Sequence, residues 1–417
     1  MFSKMQSECR FCRSELADTV VDLGLSPISN ELRDATTADE KPQIFYPLKV
    51  MVCRHCWLVQ LSDVETPEHF DADYAYFSSY STSWLEHART YSMQMIDMLG
   101  LDANAQVVEI ASNDGYLLQY FKQASIPVLG VEPSANVADH ARKAHGIDTI
   151  GTYFGHECAT GLISAGRKAD LIVANNVLAH VPDINDFVSG FAILLRKGGT
   201  ITIEFPHLLN MLRHCQFDTI YHEHFSYLSL GVVERILEAH GLAAYGAEEL
   251  PTHGGSLRVY AGHDGACRQE PALHSTLERL RVDEADFGLE TLAAYADFSR
   301  AVVRRKTDFL SFLINAATEG KKVLGYGAPA KGNTMLNYCG IGPELLAYTV
   351  DRSLHKQGHF LPGVNIPVHA PDRLLSDRPD YIVILPWNLR DEIATQLAQI
   401  RDWGGRFVVA IPELEVF

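Results

Sequence analysis

Residues 106–115 read QVVEIASNDG, and the reading of this stretch decides the fold. Val107, Val108 and Ile110 form a short apolar run of the buried-strand kind. The run stops abruptly, and YLLQYFKQA, residues 116–124, continues as helix. Between them Ala111, Asn113 and Gly115 supply residues that are small or tolerate left-handed backbone. A turn of this type lets a ligand approach the chain closely and sets a helix N-terminus beneath it. The next strand, IPVLGVE, ends on Glu132, 21 positions after Ala111. That is about where a doubly wound sheet carries the carboxylate that grips a ribose.

A dinucleotide site wants three glycines for its pyrophosphate. Here two of the three small positions are alanine and asparagine, and Glu109 precedes them. Phosphates avoid a nearby carboxylate, whereas a sulfonium or an ammonium group is drawn to one. S-adenosylmethionine (SAM) therefore fits better than NAD, with its charged methionine end near Glu109 or Asp114 and its ribose near Glu132. The plain alternative is a strand-turn-helix with no ligand.

Outward along the chain, strand and helix keep alternating, which implies a parallel sheet. DLIVANNVLAHVPD is a buried strand that ends on Asn175 and Asn176, with His180 just beyond. Ligands gather beyond the carboxyl ends of such strands. Asn175 and Asn176 are thus candidates to line the methionine end of SAM, and His180 to face a substrate. Upstream, residues 63–83 scatter five aromatic residues among acids and serines without helical period. Either this segment folds over the cofactor, with Tyr74 or Tyr76 near the sulfur, or its rings pack one domain on another. The helix that follows, WLEHARTYSMQMIDMLG, has apolar spacing that assigns its methionines to the core.

Residues 217–229, FDTIYHEHFSYLS, pack Tyr221, His222, Glu223 and His224 together. HEH lacks the HExxH spacing of a zinc protease. A general base with a phenol and a carboxylate beside it fits better, and imidazole titrates near neutrality. Alkylation of carbon needs such a base to form a stabilised enolate. After the polar turn at 253–255 and the strand GGSLRVYAG comes a long helical region, and then KKVLGYGAPAKGNTMLNY opens a second strand-to-helix turn. Its glycines and Lys331 suit an anion, plausibly a diphosphate, although the spacing is not that of a Walker loop. Asp351, Arg352, His355, Lys356 and His359 follow as a basic cluster, either a phosphate- or base-recognition element or a solvated loop.

At the N-terminal end, Cys9-Arg-Phe-Cys12 and Cys53-Arg-His-Cys56 are two CxxC pairs 40 residues apart. Two such knuckles complete a sulfur tetrahedron around Zn²⁺ and leave no open position for water, so the metal is expected to be structural. The insert between them reads as a small β layer.

The chain has 417 residues, which suits two or three domains, and 47% are hydrophobic. Its net charge of −17 argues against wrapping nucleic acid. No apolar run is long enough to span a bilayer, and the first ten residues do not resemble a signal peptide. Eight cysteines without a secretory segment point to the cytoplasm and to metal rather than disulfides.

Taken together and in order, CxxC…CxxC, VVEIASNDGYLL, GVEPS, IYHEHFSYLS, HGGSLRVY, GYGAPAKGNTMLN and DRSLHKQGHFLPG resemble the SAM-dependent C-methyltransferases that act on nucleotide-linked deoxy-keto sugars. The resemblance covers essentially the whole chain. It implies an α/β fold in three parts: a small zinc-binding β module (1–70), a class I, Rossmann-like methyltransferase domain (71–250), and a second Rossmann-like domain that holds the nucleotide (251–417). It implies methylation at C-3, or in some members C-5, of a dTDP-4-keto-6-deoxyhexose. His224 would be the base, with Tyr221 and Glu223 beside it. Lys331 and Arg352 would meet the diphosphate or thymidine, and Glu132 the SAM ribose. Two other readings compete: an O- or N-methyltransferase, and a zinc-stabilised binding protein without activity. The oligomeric state stays open, a monomer being compatible.

Overall fold

The computed structural model describes residues 8–35, 42–62 and 77–417. The central element is a seven-stranded sheet. Its strands run across the sheet in the order Leu242–Leu250, Ser256–His263, Leu195–Pro206, Ala169–Asn175, Val107–Ile110, Val128–Val131 and Thr149–Ile150. All are parallel except Ser256–His263, which is antiparallel to both neighbours. The order reverses at Val107–Ile110, so the crevice beyond Ile110 is the topological switch point.

Side-chain alternation builds a core on each face of this sheet. Val108, Ile110, Ile172 and Ala174 join one buried cluster, and Val107, Leu171 and Val173 join the other with Tyr91 and Tyr116. The same period turns Glu109 to the Val107 face, under the helix Thr82–Leu99. On that helix Met95 is fully buried, but Met93 is 57% exposed, so its methionines are not all core. The helix after the turn starts at Leu118, two residues later than the sequence suggests.

The strand within GGSLRVYAG was expected to open the third part of the chain. Instead Ser256–His263 lies in the central sheet, hydrogen-bonded to Leu195–Pro206 over six residue pairs. The helices Pro271–Phe287 and Leu292–Thr318 lead to a six-stranded sheet. Its order is Val368–His369, Thr349–Val350, Val323–Tyr326, Tyr381–Ile384, Arg406–Val409 and Glu415–Val416, parallel but for the last strand.

The N-terminal strands Asp18–Ser26, Tyr46–Val52 and Val59–Leu61 form an antiparallel layer over the knuckles. Its fourth strand, Ser226–Tyr227, comes from the HEH segment and pairs with Gln60 and Val59. A two-stranded ribbon joins Arg33–Asp34 to His359–Phe360, so the N-terminal layer also touches the last sheet. Among the described residues no helix is long and apolar enough to cross a membrane.

Candidate active site

The turn after Val107–Ile110 carries left-handed backbone at Ala111 (φ 56°), Asn113 (φ 49°) and Gly115 (φ 81°). Gly115, a candidate cofactor contact, is also closely packed. A Cβ there would come within 2.7 Å of Ile147 Cδ1 and 3.3 Å of Ala141 Cβ. The turn is fixed from the next strand: Glu132 accepts hydrogen bonds from the amides of Asn113 (3.0 Å) and Ser134 (2.9 Å). It is also covered. The amide of Ser78 donates to Asn113 Oδ1 at 2.9 Å, and that of Ser79 to Asp114 Oδ2 at 3.0 Å. The end of the aromatic segment therefore does lie on this turn, while Tyr74 and Tyr76 fall outside the described residues.

Glu109, Asp114 and Glu132 are all buried here. Burial, reinforced by Asp114 and Glu132, pushes the Glu109 carboxyl well above the ordinary range, and burial raises Glu132 too. Among the described residues, Glu109 Oε2, Asp114 Oδ1 and the side-chain amides of Asn175 and Asn176 have no hydrogen-bond partner. Unsatisfied acceptors and crowded carboxyls call for a ligand that brings donors and positive charge. The sulfonium, ammonium and ribose hydroxyls of SAM supply both, so the residues present fit it.

His224 is held by two hydrogen bonds. Its Nδ1 donates to the Thr219 carbonyl at 2.8 Å, which leaves Nε2 to accept from the Tyr221 hydroxyl, also at 2.8 Å. Burial, then the nearness of His180, His253 and Lys331, presses the His224 pKa well below its usual value, so the ring is neutral. His180 is pinned through Nδ1 to the Glu223 carbonyl at 2.7 Å, and its ring centre lies 4.7 Å from that of His224.

The other two members of the segment point elsewhere. Both Glu223 carboxylate oxygens accept from Asn30 Nδ2, at 2.8 and 2.9 Å, and burial lifts this carboxyl to about 7. Expected at the side of His224, Glu223 instead turns its acid toward the N-terminal layer and helps through its backbone. His222 is buried there as well, its Nε2 3.2 Å from the Pro47 carbonyl.

Lys331, on the helix Ala330–Cys339 that follows Val323–Tyr326, lies within electrostatic range of His224. Its Nζ donates to Asn388 Oδ1 at 2.9 Å and stands 4.9 Å from the centre of the Trp387 ring. The Trp387 indole donates to the buried Asp218 at 2.7 Å. Burial lifts Asp218 to about 6 against the pull of Lys331. The predicted basic cluster does not converge as a whole. Lys356 is committed to the Ala328 carbonyl (2.9 Å) and to Asp351 (3.8 Å). Arg352 and His355 are exposed, and neither makes a hydrogen bond or ion pair among the described residues.

The four knuckle cysteines come together. Their sulfurs all lie within 4.8 Å of one another, with Cys9–Cys56 and Cys12–Cys53 each 3.5 Å apart. A zinc ion about 2.3 Å from four sulfurs requires them roughly 3.8 Å apart, so the set fits. The two knuckles are built alike. Cys9 N donates to Ser14 O and Arg13 N to Cys9 O; Cys53 N donates to Leu58 O and Trp57 N to Cys53 O. Arg13 and Trp57 are both left-handed. Gln60 Nε2 donates to Cys9 Sγ at 3.2 Å, and Gln60 is the residue paired with Ser226.

C-methyltransferase NovU of Streptomyces niveus is 34% identical over 410 residues, spanning 98% of this chain and 96% of that protein. The chain belongs to this C-methyltransferase family. Three family models match along it: "Putative zinc binding domain" at residues 9–70, "Methyltransferase domain" at 84–245 and "C-methyltransferase C-terminal domain" at 251–412. The ubiquinone biosynthesis O-methyltransferase of Nitrobacter winogradskyi is 33% identical over 103 residues, 23% of this chain and 37% of that protein.

Solved structures are more distant. The SAM-bound magnesium protoporphyrin IX methyltransferase of Synechocystis PCC 6803 is 16% identical, with a TM-score of 0.32 over 43% of this chain and 80% of its own. A SAM-dependent methyltransferase from Clostridium acetobutylicum ATCC 824 is 10% identical, with a TM-score of 0.34 over 43% and 92%. Similarity that low bears on neither ligand nor reaction. The C-methyltransferase is thus a class I SAM-dependent enzyme by its family, and its central sheet carries the Rossmann-like order.

Several residues of the C-methyltransferase site escape a reading of the sequence. Glu204, fully buried on Leu195–Pro206, binds Arg258 (3.0 Å), His87 (3.0 Å) and Thr252 (3.2 Å). Although burial works against it, His87 and Arg258 hold its carboxyl below the ordinary range. His87 stacks on Trp84 at 4.8 Å. His253 sits in the turn joining Leu242–Leu250 to Ser256–His263. The one available signal was the HGG triplet, whose glycines mark a close approach.

Proposed function

We propose that this C-methyltransferase moves the methyl group of SAM to C-3, beside the 4-keto group of a dTDP-linked 6-deoxy sugar, by way of an enolate. The observation that carries this reading is electrostatic. His224 senses both His180, from the end of the central sheet, and Lys331, from the last sheet. An imidazole between a cation-seeking turn and a lysine-and-tryptophan cleft suits a reaction that joins a methyl donor to a nucleotide-borne acceptor.

When bound, SAM supplies an electrophilic methyl group. The 4-keto group acidifies the neighbouring C–H, and His224 Nε2 takes that proton as the Tyr221 hydroxyl, which donates to Nε2 in the free enzyme, turns its hydrogen to the enolate oxygen. Thr219 keeps the ring in the tautomer this needs. Tyr221 offers that donor to the enolate oxygen, and His180, whose one N–H is held by the Glu223 carbonyl, faces the substrate. Glu132 receives the SAM ribose, and Glu109, Ala111, Asn113, Asn175 and Asn176 surround the remainder. Lys331 meets the diphosphate, with Arg352, His355 and Lys356 adding positive charge at the rim. The zinc stays structural. Zinc-binding, methyltransferase and nucleotide-sugar parts divide near residues 70 and 250, with the hairpin strand 256–263 staying in the central sheet. Eight free thiols suit the reducing cytoplasm.

The test is incubation of the enzyme with SAM and a panel of dTDP-keto sugars, read by mass and NMR. The expected product carries a new C–CH₃ at the position beside the ketone. A new O–CH₃, or transfer to sugars without the ketone, would end the proposal. His224→Asn should lose methyl transfer and solvent-deuterium exchange at the acceptor carbon together. Full activity in that variant would remove His224 from the role.

A further inference from the structure

His253 is in a left-handed conformation (φ 53°), uncommon for a residue with a side chain. The two glycines beside it lock the turn in place. A Cβ on Gly254 would lie 2.4 Å from Trp387 Cη2, and one on Gly255 would lie 2.5 Å from Asn210 Nδ2. Gln216 fastens the same turn by donating to the Gly254 carbonyl at 2.7 Å. The imidazole so placed packs edge-on against Trp84, with ring centres 5.3 Å apart.

The turn borders the groups around His224: Trp387, against Gly254, is the ring beneath Lys331, and Gln216, bonded to Gly254, lines one small cavity with Thr219 and His224. His253 lies within electrostatic range of Lys331, Glu204, His87 and His180, and it acts on His224 in turn. The other two cleft imidazoles are committed, His224 to Thr219 and Tyr221, and His180 to Glu223. His253 makes no hydrogen bond among the described residues. A strained backbone that holds an uncommitted polar ring in a partly closed cleft is an expense without return unless a ligand uses it.

We propose that His253 is a further catalytic residue, whose imidazole N–H donates a hydrogen bond to the carbonyl oxygen of the acceptor and holds the charge that develops there as the adjacent carbon is deprotonated. This rests on the keto-sugar reading above. Burial and the nearness of Lys331 press the ring down to about 4, so it is neutral and takes no part as a base. A neutral imidazole fixed in advance is a suitable donor to an oxygen that gains charge only in the transition state.

The test compares His253→Gly and His253→Asn with the wild type. Glycine suits the left-handed backbone, so that variant removes the ring without straining the turn. Asparagine tolerates the same backbone and keeps a donor. With saturating SAM, H253G should lower kcat by about 10²–10³-fold and slow deuterium exchange at the acceptor carbon by a similar factor. The SAM Kd by calorimetry should change little, and H253N should recover part of both rates. If H253G methylates and exchanges like the wild type, the assignment of His253 falls and the keto-sugar reading stands. If its whole defect lies in SAM affinity, the assignment falls as well. If the wild type itself neither exchanges nor methylates any keto sugar, that reading fails and this assignment goes with it.

Discussion

Glu132 and Asp351 are wired alike in two different sheets. Each follows the second strand of its sheet. Glu132 accepts from the amide of Asn113 in the preceding turn and from that of Ser134, two residues on. Asp351 accepts from Ala328 in the preceding turn (2.8 Å) and from Ser353, two residues on (2.8 Å). The chain thus contains two crevices of one design, each with an acid fixed by backbone. Glu132→Ala should weaken SAM binding by about 10–100-fold, the effect of one or two hydrogen bonds to a charged group, and leave dTDP binding alone. Asp351→Ala should do the converse. Calorimetry with each ligand separates them, and a variant that lost both ligands equally would show one shared site.

Stability should fall with rising pH because of Glu223. Its carboxyl keeps a proton to about pH 7 in the folded chain, but only to about 4.5 when unfolded. The folded state therefore binds more protons between those values, and stability declines across that window by about 3 kcal/mol. Glu223→Gln cannot titrate, so its melting temperature should vary less between pH 5 and 8 than the wild type's. Equal slopes for the two proteins would mean that burial does not keep this acid protonated against the pull of Asn30.

Zinc should matter to turnover more than to SAM. Gln60 bonds the sulfur of Cys9 and pairs with Ser226, two residues after His224. Stripping the metal with a strong chelator should abolish methyl transfer while SAM affinity, which the proposed site places at Glu109 and Glu132, stays within a few-fold. Undiminished turnover in protein shown by elemental analysis to be zinc-free would refute this coupling.

Gly254→Ala should destabilise the fold by about 2–4 kcal/mol, the sum of a left-handed alanine and an overpacked contact with Trp387. Denaturant titration reads it directly. An unchanged midpoint would show that Trp387 has room to move.

What could be read from the chain alone was local. The apolar run at Val107–Ile110 and the tolerant residues at 111–115 lie side by side, and their conformations follow from residue type. So do the knuckles, where two cysteines three apart suffice. Pairings at long range could not be read this way. Ser226–Tyr227 is a two-residue strand with no periodicity of its own, and nothing in it points to Val59 and Gln60 as its partners. Ser256–His263 reads as a strand, but which sheet it enters is settled by Leu195–Pro206. His253 reads only as part of a polar turn, and Glu204 draws no reading at all, because their meaning lies in what packs against them. Conversely, Arg352 and His355 looked like part of one basic site because adjacency in sequence imitates convergence in space.

The borrowed strand also constrains how the molecule is made. The layer over the two knuckles lacks one edge until Ser226 and Tyr227 have left the ribosome, long after the last cysteine has emerged. The nascent N-terminal segment can load its metal early, yet its sheet is finished only when the reaction segment arrives to close it. A fragment ending near residue 70 should therefore hold zinc with an open β edge, ready to pair with whatever strand it meets.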